Sequence, residues 1–595
     1  MRRTALSVSI LLAAGLHASA TTTAPPGTAI TLSFSGPATN SEPKGEGVSA
    51  GGSGTLSPFG AAALGILIAA SKGAQSATIT LTFTFTDGDT LTASSTITKA
   101  SGVASGSSGS ISATAVVTAG TGAFKNYTGS FSYTLSIVEK ASFSLTGSGA
   151  LTIVQVFPHM AADTSWQTDF VILNTTSAPV AFTLILHPDS GTTVPIAGLG
   201  AVSQIPGTVA AHGTAFYTTD TTVDSDGWAE LDSAAPLSGV AVFREANDQT
   251  SVLLTTPTTN FAIPFDSTAP PNAPSTPYVD GVAIANSDAV ITAAITCQAY
   301  DSGGNALGGL LSGLTVPPSG HVAFLLQQTA PFTALPANTR GQLVCASTTT
   351  VSAVELRALG SQVSTMPVVT AAGNQTLQVF PHVAADTSWQ TDFVILNTSD
   401  APVSFTLTLY PDSGTTMPIA GLGAVSQITY TVAAHGTAFY TTDTTTDSDG
   451  WAELDSTAPL SGVAVFREPN DQTSVQLSTA ATRFTVPFDS TAPPNAPSTP
   501  YIDGLAIANA DSANPASITC TAYDTNGDAL GGSLAAPVIP PLGHIAFLLQ
   551  STAPFTSLPS NTRGQLVCTS STTVSAVELR ALGAQVSTMP VVTAQ

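Results

Sequence analysis

The chain of 595 residues reads as an all-β protein, tandem β-sandwiches preceded by a small antiparallel β-barrel or sandwich domain. Three observations predict this. Apolar residues alternate with period two over short runs, no stretch carries a helical period, and the C-terminal three quarters holds one long unit twice at a constant offset of 223 residues. Richness in Gly, Ser, Thr and Pro would suit disorder, but 43% apolar residues with many Val, Ile and Phe supply surface to bury, and Thr and Ser suit the polar faces of strands.

Charged residues make up 9% of the chain and the net charge is −23. Every lysine (Lys44, Lys72, Lys99, Lys125, Lys140) precedes the repeats. So acidic a surface repels a phosphate backbone, which excludes nucleic-acid binding. The length is too great for one core and predicts several domains arranged as beads on a string.

Residues 1–20 read as a secretory signal peptide: Arg2 and Arg3, an apolar run from Ala5 to Ala14, and Ala18-Ser19-Ala20 before the cleavage point near Ala20. The expected location is outside the cell or on its surface. No later apolar run reaches the length of a bilayer-spanning helix; Phe59 to Ala70 is too short and reads as buried protein.

Residues 21–152 form an N-terminal β domain. Thr78 to Phe85 alternates strictly, and Asp87-Gly88-Asp89 supplies a turn. The run Gly120-x-Gly122-x-Phe124 followed by Gly129 is similar to a strand-turn-strand signature in small antiparallel barrels of the allene oxide cyclase and dirigent type, which implies a barrel.

The duplicated unit is visible in Val156 to Asn174 and its copy Val379 to Asn397. Each unit contains an older repeat, in which Asn174 aligns with Asn286, Asp189 with Asp301, Phe216 with Phe324 and Arg244 with Arg357. Four related domains follow: A1 (153–265), B1 (278–372), A2 (376–488) and B2 (501–595). Pro264 to Pro277 and its copy Pro487 to Pro500 read as stiff spacers between A and B.

Four cysteines, Cys297, Cys345, Cys520 and Cys568, fall in the B domains with equal spacing of 48 residues. Pairing within each copy is expected, since zinc sites draw on closely spaced pairs such as C-x-x-C, and none exists. The alignment sets Cys297 over Leu184 and Cys345 over Leu231, so a bridge replaces an apolar core contact, as in an immunoglobulin-like sandwich with an inter-sheet disulfide. From Val156 to Gln595 the strand and hairpin pattern (VILN, FTLILHPDSG, PSGHVAFL, VSAVELR) resembles a repeated module of secreted proteins from environmental bacteria that often stands beside immunoglobulin-like domains. The resemblance implies fold and location, and no activity.

Candidate chemistry is sparse. Gly47-Val48-Ser49-Ala50-Gly51 matches a G-x-S-x-G elbow, but its domain holds no histidine after the leader. The histidines recur as copies without metal-binding spacing, and His187 is replaced by Tyr410. The acidic run Asp220, Asp224, Asp226, copied as Asp443, Asp447, Asp449, is the best candidate for a metal, and calcium is the ion it would take. Its spacing is not that of an EF-hand, and a solvated hairpin is the plainer reading, so no cofactor is expected. Asp524 to Asp528 reads as a turn. If Leu231 points inward, Trp228 and its copy Trp451 point outward, where they would stack on a sugar or a partner protein, or pack on the next domain.

The expected function is therefore that of a secreted, non-enzymatic modular β protein with a structural, adhesive or spacer role. The alternative is a glycan-binding protein using Trp228 and Trp451, with a cell-surface glycan or protein as partner. An enzyme, the third reading, would need a site in residues 21–152.

Overall fold

A computed structural model describes residues 27–593 apart from 40–46, 70–75, 99–108, 126, 139–141, 221–223, 246–247, 271–272, 274, 367, 371–374, 444–446, 469–470, 494–495, 497 and 590. The leader, with its cleavage point near Ala20, lies outside the described residues. The protein is all-β.

The N-terminal domain is a closed eight-stranded antiparallel barrel. Strands Thr28–Gly36, Gly47–Ser57, Gly60–Ala69, Ser76–Phe85, Thr90–Thr98, Gly109–Gly120, Tyr127–Val138 and Ser142–Met160 each pair with the next, and the last closes onto the first. Alternation dictates the inside: Ile79, Leu81, Phe83 and Phe85 point inward while Thr78 and Thr84 stay exposed. With Ile30, Leu32, Phe34, Leu64, Phe131 and Leu145 they pack the interior into a core. The glycine signature closes one hairpin. Gly122 has φ +54, and a Cβ there would fall 1.7 Å from the carboxylate of Asp89, which accepts the N–H of Ala123 at 2.8 Å.

No linker separates the barrel from A1. Strand Ser142–Met160 runs 19 residues; its first part closes the barrel, and residues 153–160 pair with strand Gly227–Ser233 of A1. A1 is a sandwich of two sheets. One holds this strand end with Gly227–Ser233, Val180–Pro188 and Gln204–Val209; the other holds Thr214–Thr218, Gln167–Leu173, Ser238–Arg244 and Gln249–Leu253. A2 repeats it from Leu377–Val383 to Asp471–Gln476.

Each B domain turns on one 20-residue strand, Arg340–Leu359 or Arg563–Leu582. In B1 its first half pairs with Thr258–Asp266 and Ala293–Asp301, its second with Val279–Asn286 and Gln362–Met366, so one strand serves both layers. Two expectations are corrected here. Thr258–Asp266, assigned to A1, is a B1 strand, and the described residues on either side of the proline-rich stretch are tied within B1, so it does not space two domains: Ser267 N–H donates to Thr339 O and Tyr278 N–H to Thr268 O. Pro264 is tolerated because, beyond the pairing with Arg340–Leu359, the described contacts on this strand's other edge amount to an isolated bridge between Ala262 and Val369, which asks for few N–H donors.

The disulfides join Cys297 to Cys345 and Cys520 to Cys568, as expected. They do not cross between sheets. Cys297 and Cys345 face each other on neighbouring antiparallel strands, with Cα atoms 4.0 Å apart. In A1, Leu184 faces Leu231 in the same relation. The alignment of the halves is thus correct, and the bridge replaces a cross-strand leucine pair.

The four sandwiches form a closed ring about a pseudo-two-fold axis, which overturns the beads-on-a-string expectation. A1 meets B1 through Trp228, whose Nε1 donates to Ser319 O at 3.3 Å, and A2 meets B2 through Trp451 and Leu542 O at 3.1 Å. B1 meets A2 where Gln342 Nε2 donates to Asn397 O, and B2 returns to A1 where Gln565 Nε2 donates to Asn174 O. Strands Gln249–Leu253, Gln362–Met366, Asp471–Gln476 and Gln585–Met589 meet at the centre.

Candidate functional site

Each residue singled out from the sequence has a defined place. Ser49 lies within strand Gly47–Ser57, paired on both sides in the barrel, so Gly47 to Gly51 is not a strand-to-helix elbow. Asp220, Asp224 and Asp447 do not turn into a common site, and Asp443 is half-buried with its N–H on Pro418 O. Asp226 and Asp449 turn inward, where they accept the N–H of Ala162 and of Ala385 at 2.7 Å. Among the described residues no group of three or more His, Cys, Asp or Glu is arranged to hold a metal ion. These aspartates act as loop fasteners. The turn Asp524 to Asp528 docks on A1: Thr214 N–H donates to Thr525 O, and a Cβ on Gly527 (φ +78) would lie 2.1 Å from Ala211 O.

Trp228 and Trp451 are fully buried, which removes them as exposed sugar platforms. They do leave the core of their own sandwich, as the period demands, but the face they enter is covered by the B domain. Trp228 packs with Val156 and Ala285 and stacks on His187 with centroids 4.0 Å apart; Trp451 stacks on Tyr410 at 4.2 Å. A histidine and a tyrosine fill the same slot because stacking asks only for a flat ring. Burial pushes His187 down to about 4.

The other histidines also serve contacts between domains. His212, in the left-handed region at φ 55, stacks on Tyr523 at 4.9 Å, and His435 stacks on Tyr300 at 4.5 Å. His159 of A1 lies 3.3 Å from His321 of B1, ring nitrogen to ring nitrogen, and His321 meets Asp189 at 2.9 Å. His382, His544 and Asp412 repeat the chain. Burial and the neighbouring His321 hold His159 down at about 3, so it is neutral under ordinary conditions.

These histidines back a feature of the ring that resembles a binding site. Between A1 and B1 lies a cleft of about 340 Å³, and between A2 and B2 its copy of about 420 Å³. The first has apolar walls from Phe243, Leu325 and Leu356, the half-buried indole of Trp166, and the carboxyl groups of Asp163 and Asp226. Asp163 accepts the N–H groups of Ser165 and Trp166, which sets the turn that carries the indole. Burial raises the pKa of Asp226, and Asp163, Asp224 and Asp189 add to it. Each cleft thus brings one histidine, one indole and two carboxyl groups to an apolar opening. The sequence held a signal for it, since Trp166 and Trp389 follow an aspartate by three residues in each copy, but nothing in one chain segment reveals that B supplies the facing wall.

The molecule is thus an all-β multidomain protein, a closed barrel fused to a ring of four sandwiches with two equivalent clefts. Compared with protein-family models, curated proteins and solved structures, the chain matches none.

Proposed function

We propose that this is a secreted, non-enzymatic modular β protein whose four-sandwich body serves as a structural or adhesive element at the cell surface. The observation that supports it is the use made of scarce charge. Arg244, Arg357, Arg467 and Arg580 are buried in ion pairs with Asp169, Asp280, Asp392 and Asp503. Tyr278 O–H of B1 donates to Asp392 of A2, and Tyr501 of B2 to Asp169 of A1. The ion pairs each lie within one domain, and two of their aspartates also accept a tyrosine hydroxyl from the next, which suits a rigid body that presents surface. The two disulfides are compatible with an oxidising compartment, and no helix among the described residues is long and apolar enough to cross a membrane.

A second reading, glycan binding, moves from Trp228 and Trp451 to the twin clefts. A half-exposed indole next to carboxylates that accept hydroxyl hydrogen bonds is a platform for a sugar ring. One experiment tests both: beads coated with the mature chain are offered to producing cells and to their envelope polysaccharide. Retention that survives Trp166→Ala/Trp389→Ala supports adhesion by the outer surface, and retention lost in that variant supports the clefts. No retention by the unaltered chain refutes both.

A further inference from the structure

The central contacts between the two units occur twice, with the partners exchanged. Gln249 Nε2 of unit 1 donates to Arg580 O and Gln585 O of unit 2; Gln472 Nε2 of unit 2 donates to Arg357 O and Gln362 O of unit 1. Met589 enters the pocket of Val171, Leu173, Val240 and Val242, and Met366 that of Val394, Leu396, Val463 and Val465. Arg340 lies over Phe439 and Arg563 over Phe216, each 4.3 Å from the ring centroid. At the axis Ser251 Oγ donates to Thr588 O and Ser474 Oγ to Thr365 O, lining a cavity of about 190 Å³ to which both units contribute equally.

When residue i of one body contacts j of another, and j of the first contacts i of the second, the interface is isologous, the arrangement of a two-fold homodimer. Two sandwiches that drifted together after a duplication would have no reason to meet this way. The glutamines, arginines, methionines, valines and leucines that carry the paired contacts named above are the same in both copies, and the cavity wall differs at Leu253 against Gln476 and Thr255 against Ser478. The barrel breaks the symmetry, but it is attached at the outer strand end and is absent from the central contacts.

We propose that the A–B pair is a self-pairing module: the face each unit presents at the axis receives a second copy of the same unit, and this chain carries the dimer within one polypeptide. Where the junction between units permits it, the same face pairs with a unit of another chain.

Two full-chain experiments test this. In the first, residues 376–595 are replaced by a second copy of 153–372. The chimaera is expected to be monomeric, to have the hydrodynamic radius of the original and to unfold with its ring domains in one transition; an expanded chain whose units melt separately overturns the proposal. In the second, a protease site is placed at Ala371–Asn374 of the folded chain and cut. The halves are expected to stay together. After unfolding with disulfides intact and refolding, native mass spectrometry is expected to find pairs of first halves and pairs of second halves beside the mixed pair, resolved because only the first half carries the barrel. Halves that part on cutting, or refolded material lacking like pairs, refute the proposal.

Discussion

The side-chain amide of Gln342 donates to the backbone carbonyl of Asn397 at 2.8 Å and to that of Gly436 at 3.0 Å, binding B1 to A2 at the end of a strand. Gln565 does the same to Asn174 and Gly213. All four glutamine hydrogen bonds are buried, and truncation takes the glutamine donor from Asn397 O and Asn174 O, while Gly436 O and Gly213 O keep the N–H of Asn397 and Asn174. Gln342→Ala with Gln565→Ala is expected to cost about 1–3 kcal/mol per site in urea unfolding.

Cys297→Ala/Cys345→Ala is expected to lower stability by about 2–4 kcal/mol, since the bridge closes a loop of 48 residues. Cys297→Leu/Cys345→Leu should retain more stability than the alanine pair, because Leu184 and Leu231 occupy the equivalent position in A1. Differential scanning calorimetry of the two variants decides the order.

Trp228→Ala is expected to cost about 3–5 kcal/mol, the range for removing a large buried aromatic, and to weaken the A1–B1 contact. His187→Tyr should be nearly neutral, as Tyr410 already stacks on Trp451 in the other copy. Thermal melts and near-ultraviolet dichroism would register both.

Stability should fall as pH rises from about 6.5 to 8.5. Burial, aided by nearby Glu245, pushes Asp248 up to about 7; burial, with Asp248 and Glu468 nearby, pushes Asp471 up to about 8; and Glu230 stands at about 8 through burial and Asp232. An acid whose pKa rises on folding stabilises the fold fully below its unfolded value and ceases to do so as pH climbs through the folded one. His159 and His382, held at about 3 by burial, act oppositely, but only below 6.5, where their unfolded forms begin to take up protons. Asp248→Asn/Asp471→Asn should flatten the slope of melting temperature with pH above 6.5, with Glu230 leaving a remainder.

Much of the fold was legible in the sequence because alternation is a local property: Thr78 to Phe85 declares its inward face without reference to anything distant. The alignment of Cys297 and Cys345 with Leu184 and Leu231 also rests on local pattern, and it places them correctly. The failures share a cause. Trp228 points away from its own core, but sequence cannot say whether that face meets water or another domain. Pro264 to Pro277 has the composition of a spacer, and only the partner strand Arg340–Leu359 shows that it begins inside a sheet. The offset of 223 residues is the same for beads on a string and for a closed ring. Both clefts are invisible for the same reason, as each wall belongs to a different half of its unit.

The strand Ser142–Met160 has a mechanical meaning. Because it is hydrogen-bonded into the barrel at one end and into A1 at the other, a pull between barrel and ring runs along its axis and loads two ladders of backbone bonds in shear, all at once, with no slack to take up first. A tether would let the barrel swing before it bore load; this joint passes tension directly into the ring. In unit 2 the corresponding strand is only Leu377–Val383, so the ring takes such a load at one corner and not at its twin.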